Sequence, residues 1–135
     1  MEIRAIDLQQ VLPIRHQVLW PNEPIEYCIV DGDETAEHFG AFLNNKLVCV
    51  ASIYLDNTHA RLRKFATLPA YQTQGIGSAM IQFIIHFLSN KQMTRFWCDA
   101  RESALPFYQR FNMKEEGNRF YKNGVPYFKV SLNLV

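Results

Sequence analysis

Phe65-Ala66-Thr67-Leu68-Pro69-Ala70-Tyr71-Gln72-Thr73-Gln74-Gly75-Ile76-Gly77-Ser78 is the stretch on which the fold turns. Before it, residues 60–67 set Leu62 against Arg63 and then Phe65, the alternation of a strand, and Pro69 punctuates the run. After it, Met80, Ile81, Ile84, Ile85 and Leu88 recur with a 3.6-residue period, which predicts an apolar helix over 77–89. Residues 94–99 read as the next strand, so 60–99 is a strand–helix–strand crossover with parallel flanking strands. Gly75 and Gly77, one residue apart, let backbone approach a ligand with no Cβ in the way. The helix that follows offers unpaired N–H groups and the positive end of its dipole, a site suited to a pyrophosphate. A tight turn with close helix packing would use the same glycines, so the pair alone leaves both readings open. Two phosphate motifs are excluded: a dinucleotide fingerprint needs a third glycine where Met80 stands, and no Gly-Lys-Ser/Thr occurs.

Working outward, residues 2–7 alternate as a short edge strand, with Ile3 and Ala5 between Glu2 and Arg4. Asp7 is placed to cap a helix running to about residue 20, with Leu8, Leu12, Arg15 and Leu19 on one side and Pro13 within it. Residues 21–34 hold two prolines, Asp31-Gly32 and several acids, and read as a loop with a short strand at 27–30. Residues 38–43 and 47–55 form strands around the hairpin turn Asn44-Asn45-Lys46. A short helix is expected over 103–111, capped by Ser103 with Pro106 in its first turn. Strands at 114–121 and 126–134 flank the turn Asn123-Gly124. The expected order is β-α-β-β-β-α-β-α-β-β in a single domain, with no repeat or linker.

The 135 residues carry 48% hydrophobic and 20% charged side chains, the composition of an ordinary globular protein. A formal net charge of +1 gives no footing for a polyanion, so no nucleic-acid partner is expected. Cys28, Cys49 and Cys98 form no CxxC pair, which argues against both a zinc site and a disulfide framework. Reduced thiols among apolar residues suit the cytoplasm. The first residues lack a signal-peptide layout, and every apolar run breaks before 18 residues, so no membrane span is expected.

The segment from Phe65 to Gly77, with Pro69 and the run Gln72-Thr73-Gln74-Gly75-Ile76-Gly77, resembles the coenzyme A-binding motif of the GCN5-related N-acetyltransferases (GNAT), Gln/Arg-x-x-Gly-x-Gly/Ala. Ala104-x-x-Phe107-Tyr108-x-x-Phe111 is similar to that family's Ala-x-x-Phe/Tyr-Tyr helix, and the spacing between the two blocks and the strand order also match. The resemblance covers nearly the whole chain. It implies an α/β, GNAT-like acyl-CoA N-acyltransferase fold: a mixed, twisted sheet whose two central parallel strands splay apart to hold acetyl-CoA. Backbone groups of Phe65, Ala66 and Thr67 would pair with the pantetheine arm as an added strand would. Backbone N–H groups of Gln72, Thr73, Gln74, Gly75, Ile76, Gly77 and Ser78 would hold the pyrophosphate. Gln72 stands where many relatives have Arg, so phosphate binding should rest on backbone donors and the helix dipole.

Tyr108 is the implied catalytic residue, donating a proton to the departing CoA thiolate; a phenol, with a pKa of about 10, is a reasonable acid for that task. Packing beside Phe107 and Phe111 is its plainer role. The Phe65 or Ala66 backbone is the expected oxyanion donor. A base for the amine is less evident, because the strand before the turn offers Arg61, Arg63 and Lys64 where several relatives have an acid. Asp99, Glu102, Asp33, His38 and an ordered water remain open. Arg101 stands where many relatives have an Asn that contacts CoA, and it either reaches the cofactor or caps the cleft.

Of the remaining residues, Trp97 and Cys98 read as core, and Asp99 with Arg101 as a local ion pair or as cleft residues. Arg15 reads as a solvated helix charge, with an acceptor carboxylate or Asp33 as its other partners. His16 and His59 are expected exposed, and His86 on the helix surface or at the core edge. The expected activity is acetyl transfer from acetyl-CoA to a primary amine, most simply of a small molecule, without a metal. A protein N-terminus or lysine as acceptor and a non-catalytic acyl-CoA-binding module are the alternatives. Acetyl-CoA and the amine are the expected partners, with a homodimer as the assembly to test.

Overall fold

The computed structural model describes residues 1–135, in which seven strands and three α-helices alternate in the expected order. The strands are β1 (Glu2–Ile6), β2 (Glu37–Leu43), β3 (Lys46–Asp56), β4 (His59–Thr67), β5 (Arg95–Arg101), β6 (Lys114–Lys122) and β7 (Val125–Asn133). The helices are α1 (Leu8–Leu19), α2 (Ile76–Asn90) and α3 (Leu105–Gln109). The strand order is β1-β2-β3-β4-β5-β7-β6, with β4 and β5 parallel and β1/β2, β2/β3, β5/β7 and β6/β7 antiparallel. No helix is long and apolar enough to cross a membrane.

The chain packs as two compact units, Met1–Tyr54 with Leu62–Ile84 and Leu55–Arg61 with Ile85–Val135. In the first, Asp7 caps α1: its side chain accepts from the Gln10 N–H while the Gln10 side chain accepts from the Asp7 N–H, a capping box. The α1 residues that turn inward are Val11, Ile14 and Arg15, so of the Leu8–Leu12–Arg15–Leu19 face read from the sequence only Arg15 is buried. Val48 through Ile53 of β3 are all buried, as in a strand covered on both faces. Arg15 of α1 reaches Ser52 on one face, and Phe39, paired with Ala51, packs edge-on against Phe83 of α2 on the other. The β2–β3 hairpin closes on Asn44 and Asn45, both at positive φ, as its turn signal predicts.

Two expectations fail in the loop and in α3. Residues 25–28 form a 3-10 helix, not a strand, because Pro24 starts a turn and Cys28 faces inward. Ser103 caps nothing: it lies in a 3-10 turn over Glu102–Ala104, and Pro106 in the first turn of α3 ends up doing the work of starting it.

In the second unit, His59, Ala60 and Arg61 pair in parallel with Arg95, Phe96 and Trp97, and β5 then pairs along its whole length with β7. Phe96, Cys98, Ala100 and Val130 face a core shared with Leu88, Leu105, Tyr108 and Met113. The opposite face carries Trp97, whose ring lies between Arg61 and Lys129 at 4.6 and 4.7 Å.

Candidate active site

The turn that joins β4 to α2 is built by backbone geometry. Lys64 sits at φ 55 inside β4, an extended run broken by one left-handed residue, so Phe65–Thr67 leave the line of the preceding strand. Ala66 and Leu68 are buried, and the Leu68 N–H bonds the Val48 carbonyl at 2.9 Å, which seats the end of β4 on β3. Thr67 Oγ1 donates to Cys49 Sγ. Thr73 and Gly75 take positive φ, and at Gly75 (φ +83) only glycine is unstrained, although the space around it is open.

The side chains of this turn face their own backbone. Gln72 Nε2 donates to the Thr67 carbonyl at 3.0 Å, Gln74 Nε2 to the Ala70 carbonyl at 3.1 Å, and Thr73 Oγ1 to the Gln72 carbonyl. They brace the loop. A helical bond in the first turn of α2 runs from the Ala79 N–H to the Gly75 carbonyl, and the N–H groups of Ile76 and Gly77 precede it at the helix terminus. No charged residue occurs from Phe65 to Asn90. An anion here would meet dipoles and donors alone, at the end of the helix where both favour it.

Tyr108 lies on α3, buried, and its hydroxyl donates to the Cys98 thiol of β5. Burial first, and then Cys98, push the Tyr108 phenol well above its ordinary value; burial pushes the Cys98 thiol up to about 12. The phenol is therefore a stored proton throughout the neutral range. Cys98 belongs to the core as expected, and its contact with Tyr108 is a feature that sequence reasoning missed; nothing in residue spacing signals it. Phe107 packs edge-on against both Tyr108 and Phe111.

The candidate bases all carry partners. Asp99 accepts from Arg61 at 3.0 Å and from Lys122 at 3.2 Å, while Arg101 is exposed, so the Asp99–Arg101 pair is replaced by this one. Glu102 is held by Arg119.

Asp33 and His38 belong to a buried cluster under the loop. Arg15, fully buried, forks onto Asp33 at 2.8 and 3.0 Å and also donates to the Cys28 carbonyl, Ser52 Oγ and Tyr54 Oη. It is neither a solvated charge nor open to an acceptor carboxylate. These contacts, with the Val30 N–H and the Tyr54 hydroxyl, hold the Asp33 carboxyl down at about 2 against its desolvation. His38 Nε2 donates to the Asp33 carbonyl at 2.8 Å, which makes Nδ1 the acceptor from the Ser52 hydroxyl at 2.7 Å. Both nitrogens are thus engaged. His59 and His86 are exposed as expected, whereas His16 is half-buried with Nε2 against the Glu23 carbonyl. No group of three or more His, Cys, Asp or Glu side chains is arranged to hold a metal.

Comparison with known proteins places this geometry in context. A family described as acetyltransferase (GNAT) domain matches residues 10–134. The uncharacterized N-acetyltransferase YitI of Bacillus subtilis (strain 168) is 31% identical over 134 residues, covering 93% of this chain and 90% of that one. Among solved structures, the ribosomal-protein-S18-alanine N-acetyltransferase of Escherichia coli superposes with a TM-score of 0.83 at 17% identity, over 98% of this chain and 93% of its own. A GNAT family acetyltransferase of Elizabethkingia anophelis with acetyl-CoA bound superposes at 0.78 and 17%, over 98% and 97%.

Proposed function

This chain belongs to the GNAT acetyltransferases, and we propose that residues 1–135 act as one N-acetyltransferase domain that moves the acetyl group of acetyl-CoA to a primary amine of a small molecule. The observation that carries this is the turn opening α2: helix-terminal N–H groups, in a run from Phe65 to Asn90 free of charge. The N–H groups of residues 73–78 hold the pyrophosphate, that of Gln72 being turned back onto the Pro69 carbonyl at 3.3 Å against expectation, and the backbone of Phe65, Ala66 and Thr67 pairs with the pantetheine arm.

In the ternary complex the amine nitrogen attacks the thioester carbonyl carbon. The Phe65 or Ala66 N–H stabilises the oxyanion, the C–S bond breaks, and the thiolate takes the Tyr108 proton. The attacking amine sheds its proton to water, because Asp33, His38, Asp99 and Glu102 are already engaged. The small-molecule reading rests on the buried Arg15 cluster, which ties Cys28, Val30 and Asp33 down and makes the loop a fixed wall. The buried, unpaired thiols suit the cytoplasm.

Thermal melting with acetyl-CoA, and NAD as control, tests the donor site. Ligand at 100 times its dissociation constant stabilises by about 2.7 kcal/mol, roughly 10 °C for a domain of this size; no shift at millimolar ligand defeats the reading. Tyr108→Phe should keep the acetyl-CoA shift while kcat falls about 100-fold. Loss of binding with turnover intact would remove the acid role. With the Tyr108 phenol raised above its ordinary value of 10.0, the rate should climb with pH as the amine deprotonates and show no descending limb below that value.

A further inference from the structure

The segment just after α1 is unlike the rest of the surface. Ile25, Tyr27 and Ile29 are 39%, 57% and 52% exposed, three of the seven large hydrophobic side chains that stand in solvent, within five residues. Slackness does not explain this, because Cys28 is fully buried and its carbonyl, with the Val30 N–H, is tied to the Arg15–Asp33 pair. Apolar side chains displayed on an anchored backbone mark a contact surface.

Charge says what kind of ligand it meets. From His16 to Asn45 there is no Lys or Arg, while Glu23, Glu26, Asp31, Asp33, Glu34 and Glu37 all fall there. Arg15 neutralises Asp33 only. Glu23, Glu26, Asp31 and Glu34 are exposed and flank the apolar side chains along the chain, which gives the segment an apolar centre and an acidic rim. The aromatic pair Trp20–Tyr27, with ring centroids 5.4 Å apart, already receives an ammonium: Lys64 Nζ lies 4.3 Å from the Trp20 ring centroid. Lys64 directly precedes Phe65, the first residue assigned to the pantetheine arm, so the patch reaches the donor strand through one side chain.

Resting on the acetyl-transfer reading, we infer that the acceptor is a small amine bearing an apolar body and a second positive charge, docked on Trp20, Ile25, Tyr27 and Ile29 within the acidic rim. An acceptor with a carboxylate would meet like charge, and a purely polar diamine would leave the apolar centre uncovered.

The test measures CoA thiol release at saturating acetyl-CoA with four amines. Lysine 2-naphthylamide has an aryl body and two ammonium groups; 1-naphthylmethylamine has one; putrescine has two and no aryl group; glutamic acid α-(2-naphthylamide) carries a carboxylate. The lysine derivative should give kcat/KM about tenfold above each of the others, with the gap over the singly charged amine narrowing in 0.5 M salt. Tyr27→Ser, and Glu23→Gln with Glu26→Gln, should each raise its KM about fivefold while KM for acetyl-CoA and the melting temperature hold.

Equal use of the four amines, preference for the carboxylate, an unmoved acceptor KM in the variants, or a stable dimer that buries Tyr27 would each overturn the inference. Turnover of none of them by protein that still shows the acetyl-CoA melting shift would overturn it too. Absence of that shift would instead defeat the donor reading beneath it.

Discussion

Two polar regions of the Met1–Tyr54, Leu62–Ile84 unit invite comparison, the cluster around Arg15 and the turn around Gly75. The first has the residue types that look catalytic: an arginine, an aspartate, a histidine, a serine and a tyrosine within hydrogen-bond reach. Yet almost every donor and acceptor in it is spent internally, with Arg15 Nε the unpartnered exception, and Arg15, Asp33 and Ser52 are essentially without solvent contact. The second has no charge, and its side chains point back at its own carbonyls. The N–H groups of Ile76 and Gly77, however, precede the Ala79–Gly75 helical bond, and a Cβ built at Gly75 would meet open space. A dense cluster of ionisable side chains that satisfy one another holds the protein together, whereas main-chain N–H groups at the start of a helix make the turn the place proposed for the anion.

That contrast can be broken in several ways. Arg15→Met leaves the Asp33 carboxylate buried without its partner and should cost about 3–5 kcal/mol in urea unfolding. Adding Asp33→Leu should return part of it, and a double variant no better than the single one would show that the pair is not what matters. Gly75→Asp should act on the other side, lowering acetyl-CoA affinity about 100-fold, roughly 2.7 kcal/mol, by placing a carboxylate beside the proposed pyrophosphate site. If it altered stability by as much as affinity, the turn would be structural after all.

Acid sharpens the comparison, because only the cluster titrates. Asp33 is held at about 2 in the folded chain, below its ordinary 3.8, so its contribution is present above 3.8 and lost as pH falls through about 2. About 2 kcal/mol of stability should vanish across that window, read by urea midpoints at each pH, and Asp33→Asn should flatten it. The smallest effects belong to the braces of the turn: Gln72→Ala and Gln74→Ala should each cost about 0.5–1 kcal/mol, with a modest rise in KM for acetyl-CoA.

Much of the fold was legible because it rests on local signals. The Asp7 cap, the Asn44-Asn45 and Asn123-Gly124 turns and the period of α2 are chemistry between near neighbours, and all stand where they were read. The short strand expected at residues 27–30 is absent, since a 3-10 helix over residues 25–28 takes up its first half and leaves Ile25, Tyr27 and Ile29 facing water. Ser103 had the composition of a cap and not the geometry, because the 3-10 turn intervenes. In the candidate site, the Gly75–Gly77 turn and Tyr108 announce themselves by motif, whereas the bracing by Gln72 and Gln74 and the Tyr108–Cys98 bond do not.

By itself, then, the sequence determined the order of elements, the parallel crossover through β4, α2 and β5, and the uncharged glycine turn that opens the helix. Each follows from residues close along the chain, where backbone preference and side-chain period act directly. Only the tertiary structure decided what the charged and titratable side chains do. Arg15 could have met solvent, a substrate or Asp33, and Asp99 could have met Arg101. The choice was made by which distant strands and loops folding brought within 3 Å, and by the desolvation that makes an unpaired charge there untenable.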